Sequence, residues 1–154
     1  MYEEIYRIEP QNTINMLGES IIFKDRQLQL FQWLIDQARN TPSLSPTQAK
    51  ELINLLQFVR DEKLTHSNIL YNMYFHLTNA YPPAYDRTFY PPENILSGLE
   101  RAILENLESA QKNRLIMNSL QSSDRFLISS IISDEINYVN LLSYLSLYLK
   151  NLQA

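Results

Sequence analysis

A core-facing helical stripe with charged residues at its centre is the feature that most constrains this chain. From Leu56 to Leu77 the residues at every third or fourth position are apolar, except for Lys63 and His66. Residues with this spacing lie along one side of an α-helix, the side that packs against other helices. The same stripe extends backward to Ala49. The sequence therefore predicts a long helix that turns a lysine and a histidine toward a core.

Three other segments repeat the pattern of an apolar stripe interrupted by polar residues near its middle. The interruption is Lys24 in the first segment, Asn106 in the third, and Glu135 with Tyr138 in the fourth. Residues three apart on a helix point in nearly the same direction, so both members of a pair reach one centre. We therefore expect a single central cluster composed of Lys24, Lys63, His66, Asn106, Glu135 and Tyr138.

Proline-containing stretches divide the chain into four helical segments. We predict helices at about residues 12–39, 45–79, 93–120 and 123–151, with Ser45, Pro46 and Gln48 as the start signal of the second. The connector over 81–92, YPPAYDRTFYPP, is rich in proline and tyrosine. Fully extended it reaches roughly 40 Å, about the length of a 27-residue helix. The sequence thus predicts one all-α domain over 1–154, a four-helix bundle whose crossover joins helix 2 to helix 3.

Composition excludes several classes of protein. A net charge of −4 provides no basic surface for nucleic acid. The absence of cysteine excludes disulfides and thiol chemistry and fits a cytoplasmic location. No apolar run reaches the length of a membrane span, so we expect no membrane association. The first ten residues, MYEEIYRIEP, are acidic and have no apolar signal core, so we expect no secretion.

The amino-acid sequences of four segments resemble those of the ferritin-like superfamily and, within it, of rubrerythrin-like bacterial proteins. The segments are FQWLIDQA in helix 1, VRDEKLTH followed by MYFHLT in helix 2, GLERAILENLESA in helix 3 and IISDEINY in helix 4. The resemblance covers essentially the whole chain. It implies a ferritin-like bundle, in which two helices each supply one glutamate and the other two each supply a Glu-x-x-His pair to a di-iron centre.

This chain departs from that ligand pattern at most positions. The resemblance implies glutamate at Lys24, Lys63 and Asn106 and histidine at Tyr138, and only His66 and Glu135 keep the expected residue type. In helix 1, Asp25 is the alternative ligand position if the register is shifted by one. Many relatives also carry a cysteine-rich rubredoxin module, which this cysteine-free chain lacks.

Charge argues against a metal at the central cluster. Its two lysines and one glutamate give a formal charge of about +1. Iron and similar divalent cations need anionic oxygen and neutral nitrogen ligands instead. We expect Lys24 and Lys63 to pair with Glu135, and the remaining members of the cluster to serve as hydrogen-bond partners. Four acidic residues lie one position away from the stripes, about 100° around each helix, and should not converge on the same centre: Asp25, Glu62, Glu105 and Asp134.

Three functional hypotheses remain open at this stage. The first is a non-enzymatic structural or interaction protein that binds no cofactor and has a metal-free ferritin-like fold. The second is a metal-binding oxidoreductase with an altered site that uses iron or manganese. The third is a carrier of a small anionic ligand, attracted by the lysines.

Apolar residues outside the stripes of helices 2 and 4 predict a further surface. Exposed apolar area usually marks a partner site, and we expect a homodimer formed through Ile53, Phe58, Ile69, Ile132, Ile136, Val139 and Tyr148.

Overall fold

The computed structural model describes residues 10–153. Over this range the chain is all-helical, with α1 at Pro10–Arg39, α2 at Pro46–Thr78, α3 at Ile95–Asn118 and α4 at Ser122–Gln153. The predicted ends differ from these by one or two residues. The expectation of no secretory signal concerns residues that lie almost entirely outside the described range. Across residues 10–153, none of the helices combines the length and the apolar character that a bilayer crossing requires.

Local sequence signals explain where α2 and α3 begin. The Ser45 side chain accepts a hydrogen bond from the Gln48 backbone N–H at 3.2 Å, and the Gln48 side chain accepts one from the Ser45 N–H at 2.9 Å. This reciprocal capping box satisfies two backbone donors that a helix start leaves unpaired, as predicted from the sequence. Asn94 and Ser97 form the same arrangement at the start of α3.

The four helices form a bundle in which α1 packs against α2 and α3, and α4 packs closely against α3 but only loosely against α2. The crossover is attached to the bundle by backbone carbonyl groups. Gln29 donates to the carbonyl oxygen of Arg87 at 3.0 Å, and Arg101 donates to that of Tyr90 at 2.7 Å. The connector therefore lies against α1 and α3.

Close approach of α1 and α3 explains the glycine at the start of α3. A Cβ atom built at Gly98 would lie 2.6 Å from the Trp33 ring and 2.8 Å from a methyl group of Leu34. These contacts are shorter than real Cβ atoms make, so a larger residue would force the side chains of Trp33 and Leu34 to move. Packing therefore favours glycine here, since the backbone at Gly98 is ordinary helix.

The core consists of two apolar clusters with polar residues between them. One cluster includes Phe31, Leu56 and Leu142, and the other includes Ile21, Leu70 and Ile131. The predicted stripes are largely buried. The main exception lies at the C-terminal end of α2, where Leu77 is 45% exposed. The polar residues predicted at the centre of each stripe fall in the layer that separates the two clusters.

Candidate functional site: a buried polar layer

An ion pair between α1 and α4 lies at the centre of the buried polar layer. Lys24 Nζ is 2.5 Å from Glu135 Oε1, and both side chains are 0% exposed. Two α3 side chains donate to the same carboxylate oxygen, Ser109 Oγ at 2.6 Å and Asn113 Nδ2 at 3.2 Å. Ser20 Oγ donates to Asn113 Oδ1 at 3.0 Å and extends the network back to α1. Three helices are thus linked through one oxygen atom.

The second buried lysine has a different environment. Lys63 Nζ donates to Asn106 Oδ1 at 2.6 Å and lies 5.4 Å and 5.3 Å from the ring centres of Phe31 and Tyr138. Burial lowers the pKa of Lys63 well below its ordinary value, the charge of Lys24 lowers it further, and Glu135 partly offsets both effects. Desolvation penalises the ammonium form, so burial shifts Lys63 toward the uncharged amine.

Two hydrogen bonds cross from α2 to α4 at the edge of the layer. His66 Nε2 lies 2.9 Å from Asp134 Oδ2, and the Tyr138 hydroxyl donates to Glu62. Burial, followed by the charge of Lys24, lowers the pKa of His66, which favours the neutral imidazole. Burial and the bond to Glu62 raise the pKa of Tyr138, which keeps its hydroxyl protonated. The Asp134 side chain is 39% exposed, so this edge of the layer reaches solvent.

The expected ion-pair arrangement was only partly right. All six predicted positions are buried, and Lys24 pairs with Glu135 as expected. Lys63 does not form the predicted pair with Glu135. Within residues 10–153 it makes no ion pair and donates instead to Asn106.

The acidic residues beside the stripes were expected to stay away from the central cluster, but two of them bond to members of it. Asp134 and Glu62 accept from His66 and Tyr138, respectively. Asp25 accepts from the Tyr71 hydroxyl at 3.2 Å and from the Tyr85 hydroxyl, which ties the crossover to α1 and α2. The alternative helix 1 register, with Asp25 at the centre, is therefore wrong: Lys24 faces the core, and Asp25 faces the crossover.

Several buried polar residues were missed by the analysis of the sequence. Ser20 and Gln27 flank Lys24 on the same side of α1, and Ser109 follows Asn106 by three positions on α3. This spacing of three or four residues was the sequence signal that could have identified them as core-facing. Serine and glutamine within an otherwise polar helix surface did not stand out from residues that face solvent. Gln27 is 1% exposed, and neither heteroatom of its amide has a hydrogen-bond partner in the part of the chain that the structure describes.

The donor set does not fit the di-iron centre that the resemblance implies. Within residues 10–153, no three side chains of the types His, Asp or Glu converge closely enough to hold a metal ion. The Glu135 oxygen nearest the centre already carries the ammonium of Lys24. A cation placed there would have to displace a buried, charge-assisted hydrogen bond and would meet the positive charge of the same lysine.

Comparison with known proteins leaves the chain without an identified relative. Neither the protein-family models nor the curated proteins nor the solved structures contain a match to it.

Proposed function

We propose that this protein is a non-enzymatic, ferritin-like bundle in which a protein ion pair takes the place of a metal centre. One observation carries the proposal: the 2.5 Å contact between Lys24 Nζ and Glu135 Oε1, with both groups fully buried. In a metal-binding bundle the central carboxylates are neutralised by cations. Here the ammonium of Lys24 supplies that charge, and the α3 side chains complete the hydrogen bonding.

The role supported by this arrangement is structural. A buried ion pair seldom adds net stability compared with apolar packing, but it penalises any packing that separates its members. Lys24, Ser109, Asn113 and Glu135 can satisfy one another only at one relative position of α1, α3 and α4. The layer therefore serves to fix helix register, and the outer surface is left for interaction with partners.

Elemental analysis of the purified protein tests the proposal directly. We expect less than stoichiometric iron, manganese or zinc after purification without chelators and after incubation with each metal followed by desalting. The matched control is the triple substitution Lys24→Glu, Lys63→Glu, Asn106→Glu, which restores the residue types that the resemblance implies at three positions. Stoichiometric metal in the natural chain would overturn the proposal in favour of the metal-binding oxidoreductase.

A carrier of a small anion is less well supported. Glu135 already neutralises Lys24, and the environment of Lys63 favours its uncharged form. The cluster therefore offers no surplus positive charge to an anion. A rise in melting temperature with phosphate, sulfate or acetate that disappears in Lys63→Met would restore this alternative.

We also propose that two copies of the chain associate through α2 and α4. Phe58 is 54% exposed and Ile136 is 40% exposed, while Ile53, Ile69, Val139 and Tyr148 are partly exposed. Ile132 was expected at this surface but is buried, so it does not belong to it. Light scattering coupled to size-exclusion chromatography should give the mass of a dimer for the natural chain and a larger monomer fraction for Phe58→Ser. A natural chain that remains monomeric at high concentration would contradict this association.

A further inference from the structure

Unpartnered atoms in the buried layer point to a ligand that donates hydrogen bonds. Among residues 10–153, Glu135 Oε2 has no hydrogen-bond partner, although the side chain is 0% exposed. Within the same range His66 Nδ1 is also buried without a partner, as are both amide heteroatoms of Gln27. Buried polar groups in folded proteins are nearly always satisfied by protein or by ordered water.

The tautomer of His66 determines what kind of ligand fits. Nε2 lies 2.9 Å from the Asp134 carboxylate, which can only accept, so Nε2 carries the proton. In the neutral ring, Nδ1 is then an acceptor. Glu135 Oε2 is an acceptor as well, and the Gln27 amide can take part as donor and acceptor. The unpartnered atoms of His66 and Glu135 therefore both require a donor.

Charge restricts the ligand further. A cationic donor such as ammonium would meet the positive charge of Lys24, which is bonded to Glu135 and acts on His66. A neutral donor at each of these atoms avoids that repulsion. Water satisfies each condition, and buried waters typically make about three hydrogen bonds to otherwise unsatisfied polar groups.

His66 also connects this position to the exterior. One ring nitrogen bonds to Asp134, which is 39% exposed, and the other faces the buried layer. The helices on either side of this contact, α2 and α4, are the loosely packed pair of the bundle. A molecule that leaves the layer between α2 and α4 therefore has to pass only the His66–Asp134 and Tyr138–Glu62 hydrogen bonds.

We propose that the polar layer is a hydration site in which ordered water donates to Glu135 Oε2 and His66 Nδ1 and exchanges with solvent past the His66–Asp134 contact. The site belongs to the native fold and binds a neutral hydrogen-bond donor. It goes beyond the proposed register-fixing role, because it makes solvent part of the network that joins the four helices.

Magnetic relaxation dispersion of water nuclei, measured on the natural chain, tests for long-lived internal water. We expect a dispersion from internal water in the natural chain and an equal signal in the control Tyr85→Phe, which removes a bond to Asp25 at the crossover but none of the unpartnered atoms. In His66→Phe we expect the residence time of the remaining water to lengthen several-fold, because the polar path to Asp134 is gone. If that variant does not fold, Asp134→Asn tests the same path.

A high-resolution crystal structure separates the possible failures. Water density within hydrogen-bond distance of Glu135 Oε2 and His66 Nδ1 is the expected result. A dry layer with no long-lived water would overturn the hydration site but leave the structural role intact. Anomalous scattering from a transition metal at these atoms would overturn both. An unchanged residence time in His66→Phe and in Asp134→Asn would overturn the exchange route.

Discussion

The two lysines of the polar layer show how differently one fold can bury the same side chain. Lys24 and Lys63 are both 0% exposed. Lys24 touches a carboxylate and a serine hydroxyl, whereas Lys63 touches a neutral amide and two aromatic rings. Buried charge is tolerated when it is paired, and an unpaired buried amine lowers its pKa instead. Burial alone therefore does not tell whether a lysine contributes charge to a core.

The largest effect is expected from separating the Lys24–Glu135 pair. Glu135→Gln or Lys24→Met should lower the free energy of unfolding by about 3–5 kcal/mol, because each leaves a buried group without its partner. The double variant Lys24→Met, Glu135→Leu should recover part of the loss, because it removes both charges but takes the acceptor of Ser109 and Asn113 away. Urea denaturation of all three variants measures these values. Single variants as stable as the natural chain would show that the pair is not a buried structural element.

A smaller and pH-dependent effect is expected at Lys63. Its pKa in the folded protein lies well below the ordinary value of 10.5, so between these two values the unfolded chain binds more protons than the folded one. The free energy of unfolding therefore rises with pH in that window. This contribution from Lys63 is lost as the pH falls through its folded pKa. Relative to Lys63→Met, the natural chain should gain stability from neutral pH to about pH 9, by at most about 1.4 kcal/mol per pH unit.

Two features make this titration interpretable. The raised pKa values of Tyr71, Tyr85 and Tyr138 act in the opposite direction, but only above the ordinary tyrosine value of 10.0. Measurement below about pH 9 therefore isolates the lysine. The exposed Lys50 provides a matched control, because Lys50→Met should leave the slope unchanged. Parallel curves for the natural chain and Lys63→Met would show that Lys63 stays charged.

A third, weaker effect is expected where the crossover meets the bundle. Asp25 is partly buried and accepts from Tyr71 and Tyr85 at the surface of the bundle. Tyr85→Phe removes one donor without emptying space and should cost about 1 kcal/mol. Amide hydrogen exchange should quicken over residues 81–92 and remain unchanged in the polar layer. Equal acceleration in both regions would mean that the crossover and the layer unfold together.

The smallest effect is expected from an exposed ion pair of the same composition as the buried one. Lys150 Nζ lies 3.2 Å from Glu100 Oε1, and the side chains are 49% and 52% exposed. Exposed pairs contribute about 0–1 kcal/mol. Lys150→Met should therefore change the urea midpoint far less than Lys24→Met does. A comparable loss from both substitutions would remove the distinction between buried and exposed pairs in this protein.

The helices and six polar positions of the buried layer could be read from the amino-acid sequence, whereas Ser20, Gln27 and Ser109 were missed. Periodicity fixes which side of a helix a residue occupies, and capping residues such as Ser45 and Gln48 fix where a helix begins, so both can be read locally. For the same reason, Lys24 and Glu135 could be placed in the core before any contact was known.

Only the tertiary structure decided which side chains pair. Helical period gives a direction but neither the axial offset between two helices nor the rotamer of a long side chain. The axial offset and the rotamers place Lys63 next to Asn106 instead of Glu135, and they place His66 next to Asp134. They also place the Gln27 amide and Glu135 Oε2 where no side chain or backbone group of residues 10–153 forms a hydrogen bond with them. Pairing within a buried layer depends on distances of a few ångströms between separate helices, and those distances are set by the packing of the whole bundle.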